Sequence, residues 1–243
     1  MPAQKRILIV DDDDFMRETL TDILSEMSYE AELAGSGEEA LRKAASKRYD
    51  IALIDLKMQG LNGCQTFQEI KNICPQTKAI IMTAFSQEGL IKDCLRSGAF
   101  GVLYKPLDMD KVAEQIRIAN KNHVIMIIED DEAMRQVLGD VLSENGFYTI
   151  GVKDSSEAIE KAVQTPPQLV IIDIKLPTLN GCDVYLALKD LLPDLQAILT
   201  TGYRDEVKDM VDICMNHGAY QCVYKPYDSS DLVAMAKDLL SSQ

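Results

Sequence analysis

The sequence predicts an α/β protein made of two consecutive doubly wound (βα)5 units, each built on a five-stranded parallel sheet. Three observations predict it. First, the chain repeats itself: VDDDDFMR at 10–17 returns as IEDDEAMR at 128–135, and ALIDLKMQGLNGC at 52–64 returns as VIIDIKLPTLNGC at 170–182, both at an offset of 118. AIIMTAF at 79–85 returns as AILTTGY at 197–203 at that same offset, and SGAFGVLYKPLD at 97–108 returns as HGAYQCVYKPYD at 217–228 at an offset of 120. A repeat of this length defines the unit before any motif is considered. Second, the short apolar runs lack polar alternation, as strands covered on both faces do. Third, the stretches between them carry apolar residues at helical spacing, so strands and helices alternate.

Taken in order, RILIV (6–10) is the first strand, and Leu20, Ile23, Leu24 and Met27 mark one face of the helix after it. EAELA (30–34) is a weaker strand, followed by IALI (51–54) and a helix whose apolar stripe includes Phe67, Ile70 and Ile73. KAIIM (78–82) and GVLY (101–104) complete the first sheet. MDKVAEQIRIANK (109–121) forms one amphipathic helix running almost to His123, with no Gly/Ser-rich or Pro-rich tether after it. The first unit is therefore expected over 1–121 and the second over 122–243, where VIMII, YTIGV, LVII, AILT and CVY repeat the strands.

Composition narrows the function. The chain of 243 residues has 25 Lys+Arg against 39 Asp+Glu, a formal net charge of −14. Nucleic-acid affinity rests largely on cations that displace counterions from phosphates, so no nucleic-acid partner is expected. No apolar run approaches the length of a membrane span, and the run from Ile7 to Val10 is too short for a signal-peptide core. The six cysteines, at 64, 74, 94, 182, 214 and 222, include no CxxC pair. They read as reduced, packing thiols in a cytoplasmic protein.

In open parallel sheets, ligands sit beyond the carboxyl ends of the strands. Strand one ends in Asp11 and Asp12, strand three in Asp55, strand four in Thr83 and strand five in Lys105 followed by Pro106. Glu129, Asp130, Asp173, Thr201, Lys225 and Pro226 repeat the set. Any one of these has a structural explanation: the acidic run could cap a helix, and Lys-Pro could mark a turn. The same set in the same order in both copies points to a site. Two carboxylates about 5 Å apart repel by roughly 3 kcal/mol at an effective dielectric of about 20, so the cluster needs a counter-charge. Oxygen ligands without His or Cys favour Mg²⁺ or Mn²⁺. A hydroxyl and an ammonium beside a metal-bound Asp suit an incoming phosphoryl group, which needs alignment and neutralisation above all. The expected chemistry is formation of an aspartyl phosphate.

These residues resemble tandem receiver domains of two-component response regulators, which have a flavodoxin-like fold. The resemblance covers nearly the whole chain. It implies that Asp55 and Asp173 accept phosphoryl groups from a phosphohistidine on a sensor histidine kinase or a histidine phosphotransfer domain. It further implies that Asp11, Asp12 and Asp55 hold Mg²⁺ with the backbone carbonyl of Lys57, and that Glu129, Asp130 and Asp173 do so with that of Lys175. Thr83 and Thr201 would bond the phosphoryl oxygens, Lys105 and Lys225 would pair with them, and the peptides before Pro106 and Pro226 would be cis. Output would pass to a downstream protein through the helix four to helix five face, with a homodimer as a further option.

Two features depart from the pattern. Val102 and Cys222 stand where such domains usually carry a switch aromatic, and Tyr104 and Tyr224 lie on the same side of the strand two residues later. No effector segment follows Lys225 beyond about one helix. An alternative function is a haloacid dehalogenase-like phosphatase with an Asp nucleophile. Its DxDx[TV] pattern, however, is broken by Asp14-Phe15 in the first copy and by IEDDEA in the second. A dinucleotide-binding module is disfavoured because no GxGxxG follows any strand.

Overall fold

The computed structural model describes residues 5–84, 88–121, 123–176, 180–203 and 206–241. The chain divides into two compact units, Met1–Asn120 and Lys121–Gln243.

In the first unit, β1 (Arg6–Val10), β2 (Glu30–Ala34), β3 (Ile51–Asp55), β4 (Lys78–Thr83) and β5 (Gly101–Tyr104) alternate with α1 (Asp14–Glu26), α2 (Gly37–Ser46), α3 (Gly63–Ile73), α4 (Glu88–Arg96) and α5 (Met109–Ala119). The sheet is parallel, in the order β2-β1-β3-β4-β5. The second unit repeats it with β6 (Val124–Ile128), β7 (Tyr148–Val152), β8 (Leu169–Asp173), β9 (Gln196–Thr201) and β10 (Gln221–Tyr224). Its helices are α6 (Glu132–Glu144), α7 (Ser155–Gln164), α8 (Gly181–Leu191), α9 (Lys208–Asn216) and α10 (Ser229–Ser241). Its sheet order, β10-β9-β8-β6-β7, is the same topology read from the opposite edge. The two α/β units with five-stranded parallel sheets are those the hydrophobic runs predict.

Burial explains why these runs become strands. Every residue of β3, β6 and β8 is buried, as is β1 after Arg6, whereas the edge strand β2 is partly exposed, in keeping with its weak EAELA pattern. In the second unit Ile125, Ile127, Ile171 and Ile198 from the sheet pack with Leu138 and Leu142 of α6 and with Leu232 and Leu240 of α10. Helix starts are capped locally. The Asp13 carboxylate accepts from the amides of Phe15 and Met16, Asn62 and Gln65 form a reciprocal capping box on α3, and Asp131 and Asn180 cap α6 and α8. The acidic run thus divides its labour: Asp13 caps α1, Asp14 pairs with Arg17, and Asp11 and Asp12 face the sheet edge.

Register sets the site. The chain leaves β1 in one direction toward β2 and returns past it to β3, so a crevice opens beyond the ends of β1 and β3. Val10 lies opposite Ile54, Asp55 opposite Met82, and Thr83 opposite Tyr104. Asp11, Asp55, Thr83 and Lys105 consequently emerge at one level. Ile128 with Ile172, Asp173 with Thr200, and Thr201 with Tyr224 do the same in the second sheet.

One expectation is corrected. Cys182 and Cys214 are joined as a disulfide, so these two are not free thiols. Both are buried side chains on α8 and α9, and spacing that lacks any CxxC pair gives no hint that the fold brings them together. Cys64, Cys74 and Cys94 carry free thiols.

Candidate functional site

In the first unit the Lys105 ammonium lies 2.8 Å from Asp11 Oδ2 and 2.6 Å from Asp55 Oδ1. Asp11 is fully buried and Asp55 is 5% exposed, while Asp12 faces solvent. Carboxylate oxygens of all three acids fall within 4.8 Å of one another. The second unit reproduces this: Lys225 Nζ lies 2.7 Å from Glu129 Oε2 and 2.6 Å from Asp173 Oδ2, and Glu129, Asp130 and Asp173 form the equivalent cluster. One buried and one solvent-facing acid beside a strand-end carboxylate make an all-oxygen donor set open on one side, which fits a hard divalent cation.

The remaining residues surround this cluster. The Lys57 amide donates to Asp55 Oδ2 at 3.1 Å and the Lys175 amide to Asp173 Oδ1 at 2.8 Å, orienting each acceptor carboxylate. The Lys175 side chain turns elsewhere, to Glu206 Oε2 at 2.7 Å and over the Tyr203 ring at 3.5 Å from its centroid. Thr83 and Thr201 are buried; Thr83 Oγ1 donates to the Ala84 carbonyl, and Thr201 Oγ1 accepts from the Tyr203 amide. The Lys105–Pro106 and Lys225–Pro226 peptides are cis. Val102 is buried in β5, and Tyr104 and Tyr224 are half-buried at the ends of their strands.

Electrostatics follow from burial and pairing. Burial pushes the Asp55 carboxyl above its ordinary value; its bonds to Lys105 oppose this, and the Asp11 charge adds to it. Burial raises the Glu129 carboxyl likewise, against the pull of Lys225. For Lys105 and Lys225, burial acts downward, but hydrogen bonds to the paired carboxylates reverse it and both ammoniums are held above the usual range. Each lysine is thus a permanent cation at neutral pH.

Two supporting pairs carry no assigned role in the sequence reading although both lie inside the repeated segments. Arg17 Nη1 donates to the Asp11 carbonyl and Arg135 Nη1 to the Glu129 carbonyl, fixing the turn that carries the buried acid. Gly63 and Gly181 begin α3 and α8 directly against the acceptor strand. A Cβ on Gly63 would lie 2.2 Å from the Asp55 carbonyl oxygen, and one on Gly181 would lie 2.1 Å from that of Asp173. Their appearance in both LNGC segments was the available signal.

Comparison with known proteins agrees with this geometry. The family model of the response regulator receiver domain matches twice, over residues 7–117 and 125–237. A response regulator receiver protein of Anaeromyxobacter sp. (strain Fw109-5) is 27% identical over 97% of this chain and 95% of its own length. The chemotaxis protein CheY of Thermotoga maritima is 36% identical over 48% of this chain and 98% of its own. A crystal structure of a CheY-like receiver domain protein from Methanospirillum hungatei aligns at 30% identity and a TM-score of 0.46, covering 47% of this chain and 92% of that one. Nothing supports the dehalogenase-like alternative, whose nucleophile belongs on the first strand; here the strand-end aspartates that meet the lysines lie on β3 and β8. Receiver domains are phosphoacceptor signalling domains that generally bind Mg²⁺ in an acidic pocket and interact with histidine kinases or phosphotransfer proteins. With two complete copies of the fold and its acidic pocket, this chain belongs to the response regulator receiver domain family, as a tandem pair.

Proposed function

We propose that each unit takes a phosphoryl group from a phosphohistidine, on Asp55 in the first and Asp173 in the second. The observation that carries this reading is the lysine ammonium bridging a buried acid and a strand-end aspartate, in both copies. A carboxylate oxygen of the acceptor attacks phosphorus, the P–O bond forms as the P–N bond breaks, and the imidazole leaves. Lys105 or Lys225 moves its contact to a phosphoryl oxygen, and the hydroxyl of Thr83 or Thr201 turns from its backbone partner toward another. Asp11, Asp12 and Asp55, with the carbonyl of Lys57, would hold Mg²⁺ or Mn²⁺; Glu129, Asp130 and Asp173, with that of Lys175, would do so in the second copy. The cation supplies neutralisation of the carboxylates and of the incoming phosphoryl charge.

The protein is otherwise not a turnover enzyme: it phosphorylates itself from a donor and loses the group slowly to water, with Lys57 beside Asp55 slowing that attack in the first unit, whereas the Lys175 side chain is held by Glu206 and Tyr203. It is cytoplasmic, binds no nucleic acid, and its donor is a sensor histidine kinase or a histidine phosphotransfer domain. Output passes to a downstream protein, or to a second copy in a homodimer, through the α4–α5 face and its α9–α10 counterpart.

Incubation with acetyl phosphate and Mg²⁺ followed by intact mass measurement tests the central step. Two added phosphoryl groups are expected at saturation, with D55N and D173N each removing one. A single group, or none, in the native chain overturns the two-site reading, and sustained turnover of phosphate esters would indicate an enzyme instead.

A further inference from the structure

Cys64, at the second position of α3, and Cys94, near the end of α4, meet between the two helices, both buried. The Cys94 thiol donates a hydrogen bond to the Cys64 sulfur. Their counterparts in the repeat, Cys182 on α8 and Cys214 on α9, occupy the same places and are joined as a disulfide with Cα atoms 5.9 Å apart. That separation lies within the ordinary range for a disulfide, so the helix packing that sets Cys182 beside Cys214 is compatible with a cross-link at these two positions of the unit. The two units therefore hold the same pair in its two oxidation states.

Access and reactivity differ between the two sulfurs of the first pair. A cavity of about 360 Å³ opens between α3 and α4, lined by Cys64, Gln65, Gln68, Leu90, Asp93 and Arg96 among others. Cys64 borders this cavity, whereas Cys94 is fully buried behind it. The hydrogen bond from Cys94 holds the Cys64 thiol below its ordinary value, with burial opposing; Cys94 is pushed up by donating that bond and by burial. The thiolate is the nucleophile in thiol oxidation, so the sulfur nearer the cavity is the one prepared to react.

We propose that Cys64 and Cys94 form a redox-active thiol pair, which hydrogen peroxide entering the α3–α4 cavity closes into a disulfide that ties α4 to α3. The Cys64 thiolate attacks the peroxide O–O bond, giving a sulfenic acid and hydroxide, which takes up the proton released from the thiol to leave as water. The Cys94 sulfur then attacks the sulfenic sulfur, the S–S bond forms, and the second oxygen departs as water. Overall two thiols are oxidised by two electrons and one peroxide is reduced to two waters. Because α4 spans the chain between Thr83 at the end of β4 and Lys105 after β5, the cross-link restrains the segment joining two residues of the site. The proposal is independent of phosphoryl transfer.

The test uses the full chain, reduced with dithiothreitol, freed of reductant and exposed to peroxide. After quenching, free thiols are alkylated under denaturing conditions and the peptides are mapped by mass spectrometry. A Cys64–Cys94 cross-linked peptide is expected, together with slower amide exchange across α4 in the oxidised protein. C94A should leave Cys64 as a sulfenic acid that reacts with dimedone, whereas C64A should leave Cys94 reduced. Full alkylation of Cys64 and Cys94 in the peroxide-treated native chain, or oxidation of Cys64 without the cross-link, overturns the pair. Oxidation of Cys94 in C64A at the native rate overturns the assignment of Cys64 as the attacking sulfur.

Discussion

Asp55 shows how a single side chain is held between two demands. Its position 2.6 Å from Lys105 favours the ionised form, but burial beside Asp11 outweighs that pairing and raises the carboxyl above its unfolded value. A carboxyl whose folded pKa is raised opposes folding while ionised, and the cost disappears as pH falls through the raised value. D55N is therefore expected to stabilise the metal-free protein at pH 7, with the gain shrinking as the pH is lowered. Urea denaturation of both proteins at pH 7 and pH 5 measures this; a destabilised D55N at pH 7 would contradict it. Lys105 has the opposite sign. Its raised ammonium contributes stability that is complete below the unfolded value of about 10.5 and is lost only as pH climbs through the folded one. The identities of these residues were legible because the same acids, hydroxyl and lysine recur at strand ends in both copies. Their pairing distances were not, since Lys105 and Asp11 are 94 residues apart in sequence.

Among the elements, the junction of β3 and α3 governs how the acceptor is presented. The Gly63 amide bonds to the Leu56 carbonyl at 3.0 Å, and the Gly181 amide bonds to that of Ile174 at 2.7 Å, so each helix begins tight against the loop after its acceptor. Because the atoms a Cβ would strike belong to backbone, G63A must push α3 away from β3. A loss of about 3 kcal/mol is expected from such overpacking, along with slower phosphoryl uptake at Asp55 while Asp173 is unaffected. Denaturant unfolding and site-resolved mass measurement would check both parts. Strand and helix identity was readable from the continuous apolar runs and the helical stripes, because β3 is buried on both faces and Phe67 and Ile70 face the core. The meeting of α8 with α9 was not readable, and with it the disulfide: whether two cysteines 32 residues apart touch depends on how helices flanking one sheet pack.

For the whole molecule, duplication makes the behaviour testable half by half. Each unit carries its own acidic cluster, so a divalent cation should stabilise each by mass action, about 2.7 kcal/mol when present at a hundred times its dissociation constant. Denaturation with Mg²⁺ and with a chelator would show it. D173N should weaken the cation's effect on the second unit alone, and chelation should abolish phosphoryl uptake in both. If stability is indifferent to Mg²⁺, the acidic clusters are not cation sites. The sequence by itself determined the two-fold repeat, the alternation of strands and helices, and which residues stand at the strand ends, because burial on both faces and helical periodicity are local properties of a chain. Tertiary structure alone decided that Lys105 bridges Asp11 and Asp55, that Gly63 lies against the acceptor strand, and that Cys64 and Cys182 each find a partner on the next helix. These contacts depend on sheet register and helix packing, which join residues far apart in the chain and leave no periodic trace along it.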